Sequence, residues 1–125
     1  MSNIAPGQDL DLTFLEEIAD GSTEFIVESI DMFLQHTPEL LQTINSAIAE
    51  KSWVVASQAA HKLKPNLGFF GMPISQAMIQ EVELMAKAGG SDPEALNSKF
   101  NEVREIIEAN IVSLIKIRAE KEAML

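Results

Sequence analysis

Apolar positions recur at intervals of three and four along most of this 125-residue chain. Phe25/Ile26, Ile30, Phe33/Leu34, Thr37, Leu40/Leu41, Ile44 and Ala47/Ile48 form one stripe, the face of a helix from about Thr23 to Glu50. Pro38 lies inside it and removes the hydrogen bond to the Leu34 carbonyl, which predicts a bend. Trp53, Ala56, Ala60, Leu63 and Leu67 make the stripe of the next helix. Ile74, Ala77/Met78, Glu81 and Leu84/Met85 carry another, and Leu96, Phe100, Val103, Ile107, Leu114 and Ile117 line a long last one. Ahead of all these, Leu12, Leu15 and Ile18 mark a short helix.

The breaks between stripes carry the chemistry of helix ends. Asp11 and Thr13 both suit an N-cap, and Thr13 with Glu16 has capping-box spacing. Asp20-Gly21-Ser22 ends the short helix and offers Ser22 as the next cap. Gly71 falls where a helix would exit through a left-handed residue, and Pro73 suits the first turn that follows. After Gly89-Gly90, Ser91 or Asp92 caps and Pro93 opens the last helix. Tight connections make successive helices antiparallel. The predicted fold is all-α: an antiparallel up-down four-helix bundle with a short additional N-terminal helix. Residues 1–8 read as a flexible leader, 9–122 as the domain and 123–125 as a tail.

Composition narrows the setting. Hydrophobic residues make up 46% of the chain, enough for one packed domain and too many for disorder. There is no cysteine, hence no disulfide framework and no thiolate chemistry. A formal net charge of −10 argues against a nucleic-acid partner. No apolar run approaches the ~18 residues of a membrane span, and the start lacks a signal-peptide pattern. A cytoplasmic protein with no membrane contact is expected. Monomer is the default, and the start methionine with its leader favours a free-standing protein.

Candidate chemistry concentrates in His61-Lys62-Leu63-Lys64-Pro65-Asn66-Leu67-Gly68-Phe69-Phe70-Gly71. At roughly 100° per residue, Ser57, Lys64, Pro65 and Gly68 lie within about 60° of His61, while the apolar stripe centres on the order of 120° away. His61 is therefore predicted on the exposed side, in a patch of small and basic residues, where Gly68 leaves open space. A positive spot on an acidic body is locally selective for an anion. Neutral imidazole is a nucleophile near pH 7, its reference pKa being about 6.5. An imidazole among lysines thus suits taking up and passing on a phosphoryl group. An ordinary surface histidine is the plain alternative. His36, beside Gln35 and Thr37 and without a lysine cluster, reads as structural or solvated.

The segment Ala59-Ala60-His61-Lys62-Leu63-Lys64, followed by Gly71, resembles the histidine-containing phosphotransfer (HPt) domain of two-component phosphorelays. That family's pattern is H-x-L-K-G with a glycine ten residues after the histidine. Phe33-Leu34, Pro38-Glu39-Leu40-Leu41 and Trp53 also match its habit, and the resemblance spans about residues 9 to 122. It implies a signal-transduction phosphoprotein that carries phosphohistidine and has no autonomous kinase activity. Its partners would be response-regulator receiver domains, a hybrid histidine kinase, or both. A receiver's aspartyl phosphate would deliver the phosphoryl group to His61, and a second receiver would take it on. His61 would be the phosphoacceptor and Lys64 the phosphate-side lysine. Ser57, Gln58, Lys62, Pro65 and Gly68 would belong to the docking face, and Gly71 would end the helix. No metal site or intrinsic cofactor is implied, because Mg2+ would sit on the receiver. Phosphohistidine is a high-energy phosphoramidate, which suits a relay rather than a sink.

Pro65 departs from the pattern, which usually has glycine there. It lacks the N–H that would reach the His61 carbonyl, a cost of about 3 kcal/mol in a helix interior, and predicts a local bend from His61. It reads either as a tolerated variant that stiffens the site, or as the mark of a domain that docks receivers without transfer. The wider alternative is a non-catalytic adaptor of the same fold. A di-iron bundle would need Glu-x-x-His pairs. Phe33 precedes His36 and Gln58 precedes His61 at that spacing, so the pattern is absent. A haem bundle lacks a second signature, and a kinase would need a phosphate-binding loop that the sequence does not contain.

Overall fold

The computed structural model describes residues 9–125, so the leader expected over 1–8 lies outside the described residues. Five helices follow in order: α1 (Thr13–Ala19), α2 (Thr23–Ala49), α3 (Trp53–Phe69), α4 (Pro73–Lys87) and α5 (Pro93–Glu122). Among the described residues there is no strand. α3 packs on both α2 and α4, and α5 packs on both α4 and α2, so the four long helices close a ring. α1 rests against α2. Inside the ring Ile30, Ile44, Leu63, Leu67, Ile79, Phe100, Ile107 and Leu114 are fully buried. Each such side chain contributes about 1.5–3 kcal/mol by leaving water.

Helix ends follow local chemistry at most junctions. Ser22 accepts from Phe25 N at 3.1 Å, and Asp92 accepts from Ala95 N at 3.1 Å with Pro93 opening α5. α3 exits at Phe70 into Gly71 at φ 65°. Met72 N donates to Leu67 O at 2.9 Å and Gly71 N to Gly68 O at 3.1 Å, which satisfies two of the last carbonyls of α3. Gly71 has a second reason to be glycine. Its carbonyl accepts from Asp11 N at 2.9 Å, and an added Cβ would fall 1.8 Å from Asp11 O. Both internal prolines are accommodated without a break, Pro38 within α2 and Pro65 within α3.

α4 lacks a cap from its own N-cap residue, Met72, and takes one from the far end of the chain. The Asp9 side chain is 1% exposed and accepts from Ile74 N at 2.6 Å, Ser75 N at 3.2 Å, Ser75 Oγ, and Asn110 Nδ2 at 3.0 Å. The first described residue therefore starts α4 and ties it to α5. At α1, Asp11 rather than a Thr13–Glu16 box makes the turn, accepting from Thr13 N at 3.0 Å and Thr13 Oγ1 at 2.6 Å.

Two predicted stripes shift. In α1, Leu15 and Ala19 face inward and Ile18 is exposed. Two successive spacings of three carry a stripe about 120° round a helix, so Ile18 leaves the face that Leu15 and Ala19 share. In α4, the buried residues are Ser75, Ile79, Val82, Glu83 and Ala86, whereas Ala77, Glu81 and Leu84 are exposed. The inward face is centred about a residue later than the apolar pattern indicates. Two of its members are polar and stay buried only because other helices and the N-terminal segment supply partners.

Candidate functional site

α3 and α4 lie side by side, and their facing surfaces bring together His61, Lys64, Glu83 and Lys87. His61 projects from α3 with 68% of its side chain exposed, because the apolar stripe turns the opposite face into the core. Its Nδ1 lies 2.9 Å from Oε2 of Glu83, whose side chain is 4% exposed. Lys64, one turn on from His61, donates from Nζ to Glu83 Oε1 at 2.8 Å. Lys87, one turn on from Glu83 along α4, brings Nζ to 3.6 Å from Oε2. One buried carboxylate is thus met by an imidazole and two ammonium groups.

The Lys64 hydrogen bond holds the Glu83 carboxyl below the usual carboxylate range, with the His61 contact adding to it and burial opposing it. Glu83 is therefore an anion at neutral pH and can only accept hydrogen bonds. The proton in the His61–Glu83 bond accordingly sits on Nδ1. That tautomer leaves the Nε2 lone pair of a neutral imidazole unprotonated.

The predicted site residues separate in space. Gln58, Lys62 and Pro65 are exposed on the His61 side of α3. Ser57 was expected on the same exposed face but is buried, where it lines the floor of a hollow beside the imidazole. Glu83 and Lys87 of α4 border the same hollow, which places Ser57 on the side of α3 that meets α4. Gly68 does not leave open space either. An added Cβ would lie 2.5 Å from Gln76 Nε2, and that amide donates to the Lys64 carbonyl at 3.2 Å. The missing side chain of Gly68 makes room for Gln76 of α4. His36 is exposed on α2.

Glu83 and Gln76 are the site residues that the sequence reading passed over. The signal for Glu83 was present: it sits next to Val82, four after Ile79 and three before Ala86, all core residues of α4. Among the described residues, no group of three or more His, Asp or Glu side chains is arranged to hold a metal ion. No described helix is long and apolar enough to cross a membrane.

Fold and site together define an all-helical domain that presents one exposed imidazole, oriented by a buried carboxylate and flanked by lysines. The family model described as Hpt domain matches residues 28–110, and the chain belongs to that family. Membership carries a phosphotransfer role in phosphorelays, exercised with receiver or kinase domains. Comparison with curated proteins and with solved structures gives no match.

Proposed function

We propose that this chain is a phosphorelay intermediate in which His61 takes a phosphoryl group from a receiver's aspartyl phosphate and passes it to another receiver. The observation that carries this reading is the Nδ1–Glu83 hydrogen bond on an otherwise exposed imidazole. It leaves Nε2 as the nucleophile, facing solvent where a partner can dock. In the forward step the Nε2 lone pair forms a bond to phosphorus while the aspartyl P–O bond breaks. The aspartate leaves as a carboxylate. Nδ1 keeps its proton, so the ring becomes a phosphorylated imidazolium, and Glu83 stabilises the positive charge that develops. The reverse step is the same exchange read backwards. Positioning and charge neutralisation supply most of what phosphoryl transfer needs.

The docking face on this reading comprises Gln58, Lys62 and Pro65 around His61, with Ser57 and Gly68 beneath it and Gly71 closing the helix behind. The domain over 9–122 brings no cofactor of its own, and Mg2+ belongs to the receiver. The connections 50–52, 70–72 and 88–92 are short enough to favour an antiparallel up-down order. A monomer working in the cytoplasm completes the proposal.

The test is acid-labile labelling from a panel of phosphorylated receiver domains. Wild type should be labelled, and His61→Gln should not, with a thermal melt within a few degrees of wild type. Label that persists in His61→Gln, or absence of label from every receiver, refutes the reading. Wild type unlabelled beside a labelled Pro65→Gly would show that the proline blocks transfer and that the natural domain docks without accepting.

A further inference from the structure

Residues 111–117 of α5 are apolar nearly all round: Ile111, Val112, Leu114, Ile115 and Ile117 are interrupted by Ser113 and Lys116 alone. A helix with that pattern is ordinarily covered on every side. Leu114 is buried, and Ile111 and Ile117 pack against the core, yet Val112 is 68% exposed and Ile115 52%. Both open on the face where α5 runs beside α2. Two contacts mark that seam: Arg104 Nη1 donates to Asn45 Oδ1 at 3.5 Å, and Arg118 Nη2 to Asp31 Oδ2 at 3.2 Å. A hollow of about 420 Å³ lies on it, lined by Pro38, Leu41 and Gln42 of α2 and by Arg104, Glu108 and Ile111 of α5. At roughly 100° per residue, Glu105, Glu108, Val112, Ile115 and Ala119 fall within about 80° of one another on α5, and Glu28, Asp31, Gln35, Pro38 and Gln42 do so on α2. All of these residues are exposed. Pro38, Gln42 and Glu108, drawn from both strips, line the one hollow, so the strips form a single surface. In the ring of helices this α2/α5 edge lies opposite the α3/α4 edge that carries His61.

We infer that this face is a second docking surface, one that takes a basic amphipathic helix of another protein. Its apolar strip and hollow suit the anchors that such a helix presents at intervals of three and four. Charge selects the partner. The cations at the seam are already engaged: Arg118 pairs with Asp31 and Glu122, and Arg104 is held by Asn45 and Asn101 and lies over the Phe100 ring. Glu28, Glu105 and Glu108 have no ion-pair partner among the described residues. Unpaired carboxylates beside an apolar strip favour lysines and arginines across the interface. A second copy of this chain would bring the same carboxylates to the same place, and an anionic lipid surface would be repelled. With His61 on the opposite edge, a helix bound here leaves the imidazole open to its own partners.

The probe is an amidated peptide of about 15 residues, built of leucine and lysine at amphipathic helical spacing. It is titrated into the full chain, and backbone amide shifts are followed by NMR. Shifts should gather on Gln35, Gln42, Glu108, Val112 and Ile115 and spare His61 and Lys64. A peptide of the same composition with its spacing scrambled should bind at least about tenfold more weakly. Val112→Ser/Ile115→Ser should raise Kd about tenfold, because two apolar side chains lose their cover. Both positions are exposed, so its melt should stay within a few degrees of wild type. Should the double variant fail to fold, Ile115→Gln takes its place, with a rise of about threefold. Glu105→Gln/Glu108→Gln should raise Kd about threefold at low salt, whereas Glu17→Gln/Glu120→Gln, which removes the same charge from exposed positions elsewhere, should raise it less than about 1.5-fold. Shifts centred on the α3/α4 edge, no binding at ~1 mM peptide, or a Val112→Ser/Ile115→Ser Kd equal to wild type would each overturn the inference. An equal loss from the two carboxylate pairs overturns it by reducing the binding to net charge. Concentration-dependent shifts of the free chain on this face overturn it as well, since they make a second copy the occupant.

Discussion

Asp9→Ala removes one side chain near the start of the chain and should destabilise a helix that begins more than sixty residues later. The carboxylate is buried and accepts from Ile74 N, Ser75 N, Ser75 Oγ and Asn110 Nδ2. Losing the cap on the first turn of α4 costs about 1 kcal/mol. The Ser75 hydroxyl and the Asn110 amide are themselves buried, and each loses its carboxylate acceptor. A buried donor left unsatisfied costs about 1–3 kcal/mol. Asn110 Nδ2 keeps a longer contact of 3.4 Å to the Asp9 carbonyl, which places its share near the low end. The sum is about 3–5 kcal/mol, a large part of the ~5–15 kcal/mol that holds a domain together. For a chain of this size the melting temperature should fall by about 12–20 °C. Thermal circular dichroism and a urea midpoint at pH 7 measure it, with an unchanged urea slope marking a pure stability effect. A fall under about 4 °C would refute the reasoning, since that is what one solvent-exposed cap alone would give.

Gly71→Ala should cost at least ~2 kcal/mol, read from the urea midpoint, because the left-handed backbone alone costs about 1–2 kcal/mol and the new methyl would strike the Asp11 carbonyl. Gly68→Ala should leave the melt within a few degrees of wild type. Its obstacle is the flexible end of Gln76, and alanine returns roughly 1 kcal/mol of helix propensity against about one lost hydrogen bond. Glu83 has a lowered pKa in the folded state, so it contributes stability above its unfolded value of 4.5 and loses it as pH falls through the folded value. Glu83→Gln should therefore lower the melting temperature at pH 7 and flatten its decline as the pH falls below 4.5 relative to wild type, as a pH series of melts would record.

Much of this architecture was legible before any coordinates. The inward faces of α2, α3 and α5 follow their apolar stripes, and Ser22, Asp92, Pro73, Pro93 and Gly71 mark helix ends by local chemistry. His61 was placed on the outside by helix geometry, because its own apolar neighbours turn the other way. The site was legible only on its α3 side. The open space expected at Gly68 is occupied by Gln76, and Ser57, expected exposed, is buried in a hollow it shares with Glu83 and Lys87 of α4. Both corrections have one cause: the surface of α3 is shaped by the helix packed on it.

By itself the sequence determined an all-helical chain, the faces of its longest helices, their ends, and one exposed imidazole beside two lysines. These are properties of a single helix, set by a period of 3.6 residues and by groups a turn or less apart. Only the tertiary structure decided which polar groups are buried. Glu83 is held by His61 and Lys64 across separations of 22 and 19 residues, and Asp9 by Ile74 and Asn110 across 65 and 101. A carboxylate can leave water only where its partners meet it, and no pattern along one helix records where a second helix will bring them.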